Sequence, residues 1–175
     1  MTWHALFVES GKEELVQTYL ELNFKKSNLL SIIPKRKVPE KKGGVIKHVK
    51  KKLFPGYILI QTNMDRYTYN KIRNIPKIHR VLNTGVTYST QQGFYITKLE
   101  DNEINFISEL LNEDGIIEYS QVCINNSIVD VISGPLFGME HLIRKVDKRK
   151  NRAKLQFDIR GKEMKFEVGI EISNN

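Results

Sequence analysis

Residues 53–60 read Leu-Phe-Pro-Gly-Tyr-Ile-Leu-Ile and form the strongest candidate for a buried strand in the chain. Aromatic and β-branched residues are typical of strands, and a short apolar run is typical of a strand covered on both faces. Pro55 and Gly56 interrupt this run; proline lacks an amide donor, and glycine weakens a strand interior. The pair predicts either a bend that shapes a functional surface or an ordinary turn before the strand, and the sequence leaves both open.

An α-helix is predicted upstream of this strand. Residues 3–8 are short, aromatic and apolar, and they predict a strand of their own. Ser10 and Glu13 then match a capping box, in which two side chains satisfy amides at the start of a helix. We therefore expect a helix that begins at this point and ends near Asn23.

Two more helices are predicted downstream. Asp65 is suited to cap a helix that ends before Pro76, because proline disfavours a helical conformation in the residue before it. Residues 101–112 carry apolar side chains on one face and predict an amphipathic helix, after which Gly115 acts as a stop. Further short strands are predicted at residues 29–33, 78–82 and 94–99.

Residues 35–52 are strongly basic, because nine of these eighteen residues are Lys or Arg. Gly43 and Gly44 lie in the middle, so the segment is predicted to form two strand ends around a mobile hairpin tip. A charge run is usually a solvated surface, and this is our default interpretation. A salt-sensitive contact with DNA or RNA is the alternative.

The spacing of apolar residues changes after Gly115 from a helical period to a period of two. Alternating stretches at residues 152–160 and 163–172, joined by a turn at 160–162, predict a hairpin with one buried face. Residues 128–132 predict another strand. A small β-barrel would close such a sheet and leave no exposed edge.

The composition limits the class of protein. The chain has 175 residues, a formal net charge of +8 and a sequence pI near 9.5, which favours a polyanionic partner or an acidic protein surface. The single cysteine, Cys123, cannot form an internal disulfide and favours a reducing compartment. The sequence shows neither a signal peptide nor an apolar run of about 18 residues, so we expect a cytoplasmic protein without a membrane span.

Patterns typical of an enzyme or a metal site are missing from the sequence. The four histidines are scattered, the one cysteine provides no zinc-ligand spacing, and no glycine-rich phosphate loop occurs. We therefore expect no catalytic residues, no metal and no cofactor.

Two motifs connect the chain to a known family. The first is Phe54-Pro55-Gly56-Tyr57 after a basic strand, with Trp3 and Gly11 upstream, and it resembles the NusG amino-terminal (NGN) domain. The second, at residues 131–140, reads Val-Ile-Ser-Gly-Pro-Leu-Phe-Gly-Met-Glu and resembles the KOW motif. Both motifs occur in the order and spacing of the NusG family, so the resemblance covers nearly the whole chain. The carboxy-terminal text resembles specialised NusG paralogs of the LoaP type more than the housekeeping protein.

This resemblance implies a fold and a function. The fold is α+β, with an NGN domain at residues 1–114 (an antiparallel sheet flanked by helices), a linker at 115–121 and a small SH3-like KOW β-barrel at 122–175. The implied function is a transcription elongation and antitermination factor that binds bacterial RNA polymerase through the NGN domain and suppresses pausing and termination. The residues expected to contact the polymerase are Phe7, Phe54, Pro55, Gly56 and Tyr57. Plain core packing is the alternative for the aromatic residues, since strands bury them routinely.

A cluster of basic residues lies at a predicted turn, residues 147–151, and on the strand that follows. Its side chains face away from the apolar Ala153, Leu155 and Phe157, so they gather on one side. An RNA hairpin presents closely spaced phosphates to such a surface, and proteins of the LoaP type are associated with leader RNA hairpins. The predicted RNA-binding residues are Arg144, Lys145, Lys148, Arg149, Lys150, Arg152 and Lys154. A solvated loop without a specific ligand is the alternative.

The family implies further candidate partners, namely non-template DNA and a ribosomal protein or Rho, and we expect a monomer. Asn74-Ile75 replaces an Asn-Thr pair that some NusG proteins use against non-template DNA, which argues against base-specific pausing. His141 stands where a KOW glycine is common, which predicts an altered turn or a local polar contact. A second class of function stays open: a stand-alone RNA-binding or ribosome-associated KOW protein, which would bind RNA without binding polymerase.

Overall fold

The computed structural model describes residues 1–82, 87–89, 94–96, 101–159 and 162–173, and most of its regular structure is strand. The elements are β1 (Thr2–Val8), α1 (Glu13–Asn23), β2 (Leu29–Ile32), β3 (Lys35–Lys42), β4 (Val45–Lys52), β5 (Tyr57–Thr62), α2 (Arg66–Arg73), β6 (Ile78–Val81), β7 (Thr87–Ser89), β8 (Phe94–Ile96), α3 (Asp101–Leu110), β9 (Ile116–Ile117), β10 (Ser120–Asn125), β11 (Ile128–Ser133), a 3-10 helix (Glu140–Leu142), β12 (Ile143–Asp147), β13 (Arg152–Ile159) and β14 (Lys162–Ile172).

These elements form two compact units. The first unit comprises residues 1–34 and 54–106, and the second unit comprises residues 35–53 and 107–175. The basic hairpin, residues 35–52, thus groups with the carboxy-terminal strands, because β3 pairs in parallel with β9. The domain boundaries predicted from the sequence, after residue 114 and before residue 122, differ from the boundaries of these two units, and they stay a prediction.

The first unit is built around a four-stranded sheet in the order β2-β5-β1-β6. All three pairings in this sheet are antiparallel, as expected for the α+β class. Val16 and Leu20 lie one turn apart on α1 and are fully buried, so the apolar face of this helix belongs to the core. The core consists of Leu6, Val8, Val16, Leu20, Leu29, Ile33, Ile58, Ile60, Met64, Ile72, Ile75 and Val81.

The ends of α1 and α2 can be compared with the helix caps predicted from the sequence. Asp65 caps α2 as predicted: its carboxylate accepts a hydrogen bond from the Thr68 amide at 2.7 Å, and this bond lowers the pKa of Asp65. By contrast, α1 begins at Glu13 with Lys12 at the N-cap, so the predicted capping box is wrong. The end of α1 at Asn23 is confirmed.

The second unit holds a five-stranded sheet in the order β11-β10-β14-β13-β12 and a three-stranded sheet in the order β4-β3-β9. β13 and β14 pair antiparallel from Arg152 opposite Gly169 to Ile159 opposite Lys162, which confirms the predicted hairpin. The turn of that hairpin, at residues 160–161, lies outside the described residues. β10 and β14 run parallel, whereas the other pairs of the five-stranded sheet are antiparallel.

The turn after β11 depends on a glycine. Gly134 has φ +95°, and a Cβ atom there would lie 2.7 Å from both the Ser120 Cα and the Tyr119 carbonyl oxygen. The buried Ser120 hydroxyl accepts a hydrogen bond from the Leu136 amide at 3.0 Å. The segment Gly134-Pro135-Leu136 therefore lies directly against the start of β10, and position 134 has no room for a side chain.

We expect Gly134→Ala to destabilise the second unit by at least about 2 kcal/mol, because it adds backbone strain to a collision with main-chain atoms. Gly138→Ala is the matched control, since Gly138 has φ +78° but nothing lies within 4 Å of its added Cβ. The control should cost only about 1 kcal/mol of backbone strain. Denaturant unfolding followed by circular dichroism measures both, and equal losses would contradict the proposed close contact.

Candidate functional sites

Two aromatic side chains of the first unit lie directly opposite each other on neighbouring strands. Phe7 of β1 pairs with Tyr57 of β5, and their ring centroids are 5.4 Å apart with the ring planes tilted by 43°. Tilted aromatic pairs at this separation contribute about 0.5–1.5 kcal/mol beyond their burial. Both residues are only half-buried, so the pair is packed and still accessible to a partner.

The neighbouring strand β6 adds two residues that the sequence analysis missed. The His79 ring centroid lies 5.2 Å from that of Phe7, and the Arg80 guanidinium carbon lies 5.6 Å from the centre of the same ring. Arg80 is directly opposite Phe7 in the β1–β6 pair. These residues become neighbours only through the strand register, so the linear sequence carried no signal for them.

The Phe-Pro-Gly motif forms a turn before β5, which is one of the two interpretations that the sequence left open. The predicted strand begins only at Tyr57, whose amide donates to the Phe54 carbonyl at 3.2 Å. Gly56 has φ +83°, which favours glycine, and its carbonyl accepts a hydrogen bond from the Val8 amide at 2.9 Å. Among the motif residues, Phe54 is half-buried, Pro55 is exposed and Gly56 is buried.

A buried carboxylate anchors this turn. Glu13 is fully buried, and its Oε1 accepts a hydrogen bond from the Gly56 amide at 2.7 Å. A buried amide without an acceptor would cost about 1–3 kcal/mol, so this contact ties α1 firmly to the turn that precedes Tyr57. The sequence pattern predicts only a helix cap for Glu13, and the contact with Gly56 arises from the fold.

The basic cluster of the second unit is centred on the turn between β12 and β13. The Asp147 carboxylate accepts a hydrogen bond from the Lys150 amide at 3.0 Å, and Asn151 adopts φ +50°, a conformation that asparagine tolerates. The turn is therefore closed by its own residues. Lys148, Arg149 and Lys150 are all exposed on it.

Further basic residues of the cluster project from the strands beside this turn. Lys145 and Lys154 lie directly opposite each other on β12 and β13, and both are exposed. The predicted inward direction of Ala153 and Leu155 is confirmed, because both are fully buried. Glu167 is directly opposite Lys154 on β14, so it offsets part of the repulsion between the two lysines. Arg144 is exposed as well.

Arg152 is placed differently from the other six residues of the cluster. Its side chain is only 17% exposed, and its Nη1 lies 3.0 Å from the Glu167 carboxylate. Its Nη2 donates to the Pro39 carbonyl at 2.7 Å. The guanidinium therefore holds β13 against β14 and the basic hairpin, and six exposed residues remain as the surface part of the cluster.

A groove of about 410 Å³ lies beside this cluster. Its lining is mixed: Ile124, Val129, Ile143 and Val146 are apolar, Arg144, Lys145 and Lys148 are basic, Glu140 is acidic and Ser127 is polar. Local sequence patterns do not indicate this groove, because its lining comes from β10, β11, β12 and the segments next to them.

Three further expectations from the sequence concern a metal site, a membrane span and His141. Among the described residues, no three His, Cys, Asp or Glu side chains are arranged to hold a metal ion. No helix in the same ranges is long and apolar enough to cross a membrane. His141 lies exposed in the 3-10 helix before β12.

Comparison with known proteins places the chain in a family. The family model described as "Transcription termination factor nusG" matches residues 1–108, which is more than half of the chain. The chain belongs to the NusG family. The predicted membership of the NusG family is thereby confirmed, whereas the KOW motif at residues 131–140 lies outside the matched residues and the LoaP type stays a prediction.

NusG relatives cover nearly the whole length of the chain. The "Transcription termination/antitermination protein NusG" of Rickettsia prowazekii (strain Madrid E) is 28% identical over 174 residues, covering 96% of this chain and 86% of the relative. The protein of the same description from Halalkalibacterium halodurans is 28% identical over 174 residues, covering 95% and 93%. A solved structure described as "Domain interaction in Thermotoga maritima NusG" is similar with a TM-score of 0.56 and 24% identity, covering 96% and 93%. That likeness supports a NusG fold, and the relatives are named for transcription termination and antitermination.

We expect Glu13→Ala in this NusG-family chain to lower the free energy of unfolding of the first unit by about 1–3 kcal/mol, because the Gly56 amide loses its buried acceptor. Glu13→Gln keeps an oxygen acceptor and should lose less. Glu21→Ala, on an exposed position of the same helix, is the control and should stay within about 0.5 kcal/mol of wild type. Denaturant titration followed by the fluorescence of Trp3 measures all three, and an Ala variant as stable as the control would refute the anchoring role.

Proposed function

We propose that this NusG-family chain is a transcription elongation and antitermination factor that binds bacterial RNA polymerase through the Phe7–Tyr57 face of the first unit. The observation that carries the proposal is the partly exposed aromatic pair held between two strands of the sheet. Aromatic residues dominate binding hot spots, where single side chains contribute about 2 kcal/mol or more. In this proposal residues 1–114 form the NGN domain, 115–121 the linker and 122–175 the KOW β-barrel.

The proposed mechanism acts on the conformation of the polymerase. A protein that binds only the closed clamp shifts the polymerase toward that state by the difference between its affinities for the two states. A closed clamp resists the opening that accompanies pausing and termination. The factor would thus suppress both without any chemistry of its own.

The second part of the proposal is that the basic cluster binds an RNA hairpin of the nascent transcript, as the resemblance to paralogs of the LoaP type implies. The six exposed basic residues around one turn support it. Tethering this surface to the polymerase would raise the effective concentration of the RNA contact. Non-template DNA and a ribosomal protein or Rho remain candidate partners, and we propose that the factor acts as a monomer in the cytoplasm.

Removing the tyrosine tests the polymerase contact. We expect Tyr57→Ala to weaken binding to bacterial core RNA polymerase by about 30-fold or more, the equivalent of a 2 kcal/mol hot spot. Phe137→Ala is the matched control, because Phe137 is 66% exposed and lies in the second unit. Both variants are measured by retention on immobilised core polymerase, with thermal unfolding as a check of the fold.

Two results of this measurement would contradict the proposal. Wild-type protein that is not retained would rule out the elongation mechanism and favour the stand-alone RNA-binding class. Retention that is lost equally in both variants would move the contact away from the Phe7–Tyr57 face.

Charge reversal at the β12–β13 turn tests RNA binding. We expect Lys148→Glu with Arg149→Glu to weaken binding to a pool of RNA stem-loops with a randomised loop by at least tenfold. The slope of log affinity against log salt concentration should fall in magnitude by roughly one to two, because each lost phosphate contact releases about one counterion fewer. Filter binding at several salt concentrations measures both quantities, and an unchanged affinity and slope would remove the RNA-binding part of the proposal.

A further inference from the structure

The basic hairpin, formed by β3 and β4, is docked across the outer face of β14. A Cβ atom on Gly169 would lie 1.8 Å from the Tyr119 ring and 2.6 Å from the Lys37 carbonyl oxygen, so β3 and this ring lie directly on the strand. The Tyr119 hydroxyl is 2.7 Å from the His48 Nδ1. Lys37 Nζ lies 2.9 Å from the Glu118 carboxylate. The hairpin is therefore held by contacts along its stem within the second unit.

The face on which the hairpin docks is the face from which the basic cluster projects. Gly169 is directly opposite Arg152, and partners in an antiparallel pair point to the same side of a sheet. Side chains two residues apart on a strand also share a face, so Arg152 and Lys154 project together. Lys145, opposite Lys154, belongs to the same face. The bond from Arg152 to the Pro39 carbonyl joins the hairpin to the cluster at this point.

Basic and acidic side chains lie together where β3 docks on β14. Burial lowers the pKa of Arg36, while the Glu167 carboxylate favours its charged form and the neighbouring Arg152 opposes it. Glu167 also forms the ion pair with Arg152, so one carboxylate serves two guanidinium groups. Glu40 is paired with Lys51, Glu118 is paired with Lys37, and the Glu171 carboxylate acts on the docked Tyr119 ring. The excess of positive charge therefore lies on the exposed lysines and arginines on either side of this docking place.

The outer half of the hairpin extends this charge. Lys41, Lys42 and Lys47 are exposed near the tip, and Val45 and Ile46 between them are each 58% exposed. Each eight-residue strand spans roughly 26 Å at about 3.3 Å per residue, which is long enough to follow several phosphates of a duplex. Val45 and Ile46 therefore add exposed apolar area between the lysines of the tip.

We propose that the basic hairpin and the β12–β13 turn bind a single RNA hairpin together, as two parts of one surface of the second unit. This inference rests on the proposed RNA binding by the cluster and adds a second set of contacts to it. The turn holds phosphates on one side through Lys148, Arg149 and Lys150. The hairpin tip holds phosphates farther along the same RNA through Lys42 and Lys47, with Val45 and Ile46 against ribose or an unpaired base. Arg152 sets the position of one part relative to the other.

The test compares three double charge reversals of equal size in the full chain. Lys42→Glu with Lys47→Glu changes the hairpin tip, Lys148→Glu with Arg149→Glu changes the turn, and Lys25→Glu with Lys26→Glu changes exposed lysines of the first unit as a control. The probes are the randomised-loop RNA stem-loop pool and a duplex DNA of the same stem length. Affinity and salt slope are measured for each variant, with denaturant unfolding followed by circular dichroism as a check that the second unit is folded.

We expect the tip and turn variants each to lose at least tenfold in RNA affinity and to show a shallower salt slope, while the control changes by less than about threefold. A loss in the turn variant with an unchanged tip variant would overturn the two-part surface and leave RNA binding by the cluster standing. No loss in either would remove both proposals. A tip variant that loses affinity for duplex DNA and keeps its affinity for RNA would assign the hairpin to DNA and overturn the inference.

Discussion

The hydrogen bond between the buried Glu13 carboxylate and the Gly56 amide is the contact on which the first unit's surface depends. It joins α1 to the turn that starts β5, and so it determines where Tyr57 begins its pairing with β1. The Val8 amide, bonded to the Gly56 carbonyl, closes the same turn from the β1 side. A buried hydrogen bond of this kind is costly to break, because neither group can reach water. The aromatic face is therefore held by a rigid turn. A rigid surface loses less conformational entropy when it binds a partner.

In the second unit, side chains of like charge face each other across neighbouring strands. Lys145 faces Lys154, and the stem of the basic hairpin places Lys35, Arg36 and Lys37 opposite Lys52, Lys51 and Lys50. Each such pair lowers the stability of the sheet slightly, and Glu40, Glu118 and Glu167 offset part of the repulsion. The burial of four apolar side chains stabilises the same sheet and offsets the cost of this repulsion; they are Ala153, Leu155, Val168 and Ile170. The second unit, with 19 basic and 12 acidic residues, carries a formal charge of +7 out of the chain's +8, which favours a polyanionic partner for this unit.

Local patterns predicted those elements whose cause is local. The alternation of apolar and polar residues predicted the β13–β14 hairpin and the burial of Ala153 and Leu155. Successive side chains of a strand point to opposite faces, so a period of two indicates a strand with one buried face. Asp65 predicted its helix, because a cap and its amide lie three residues apart. The capping box at Ser10 was wrong, and the strand predicted from residue 53 starts at Tyr57. Both errors have one origin, because the partner of Glu13 lies 43 residues away in the turn that delays the strand.

The sequence by itself determined the family through its two motifs, the α+β class, the positions of most helices and strands, and the aromatic and basic residues of the candidate sites. It did so because motifs, periodicity and charge are properties of neighbours along the chain. Only the tertiary structure decided that His79 and Arg80 join Phe7, that Arg152 is held by Glu167 and Pro39, and that the basic hairpin packs with the carboxy-terminal strands. Those contacts arise from strand register and from the crossing of β3 over Gly169, which bring together residues that no local pattern relates.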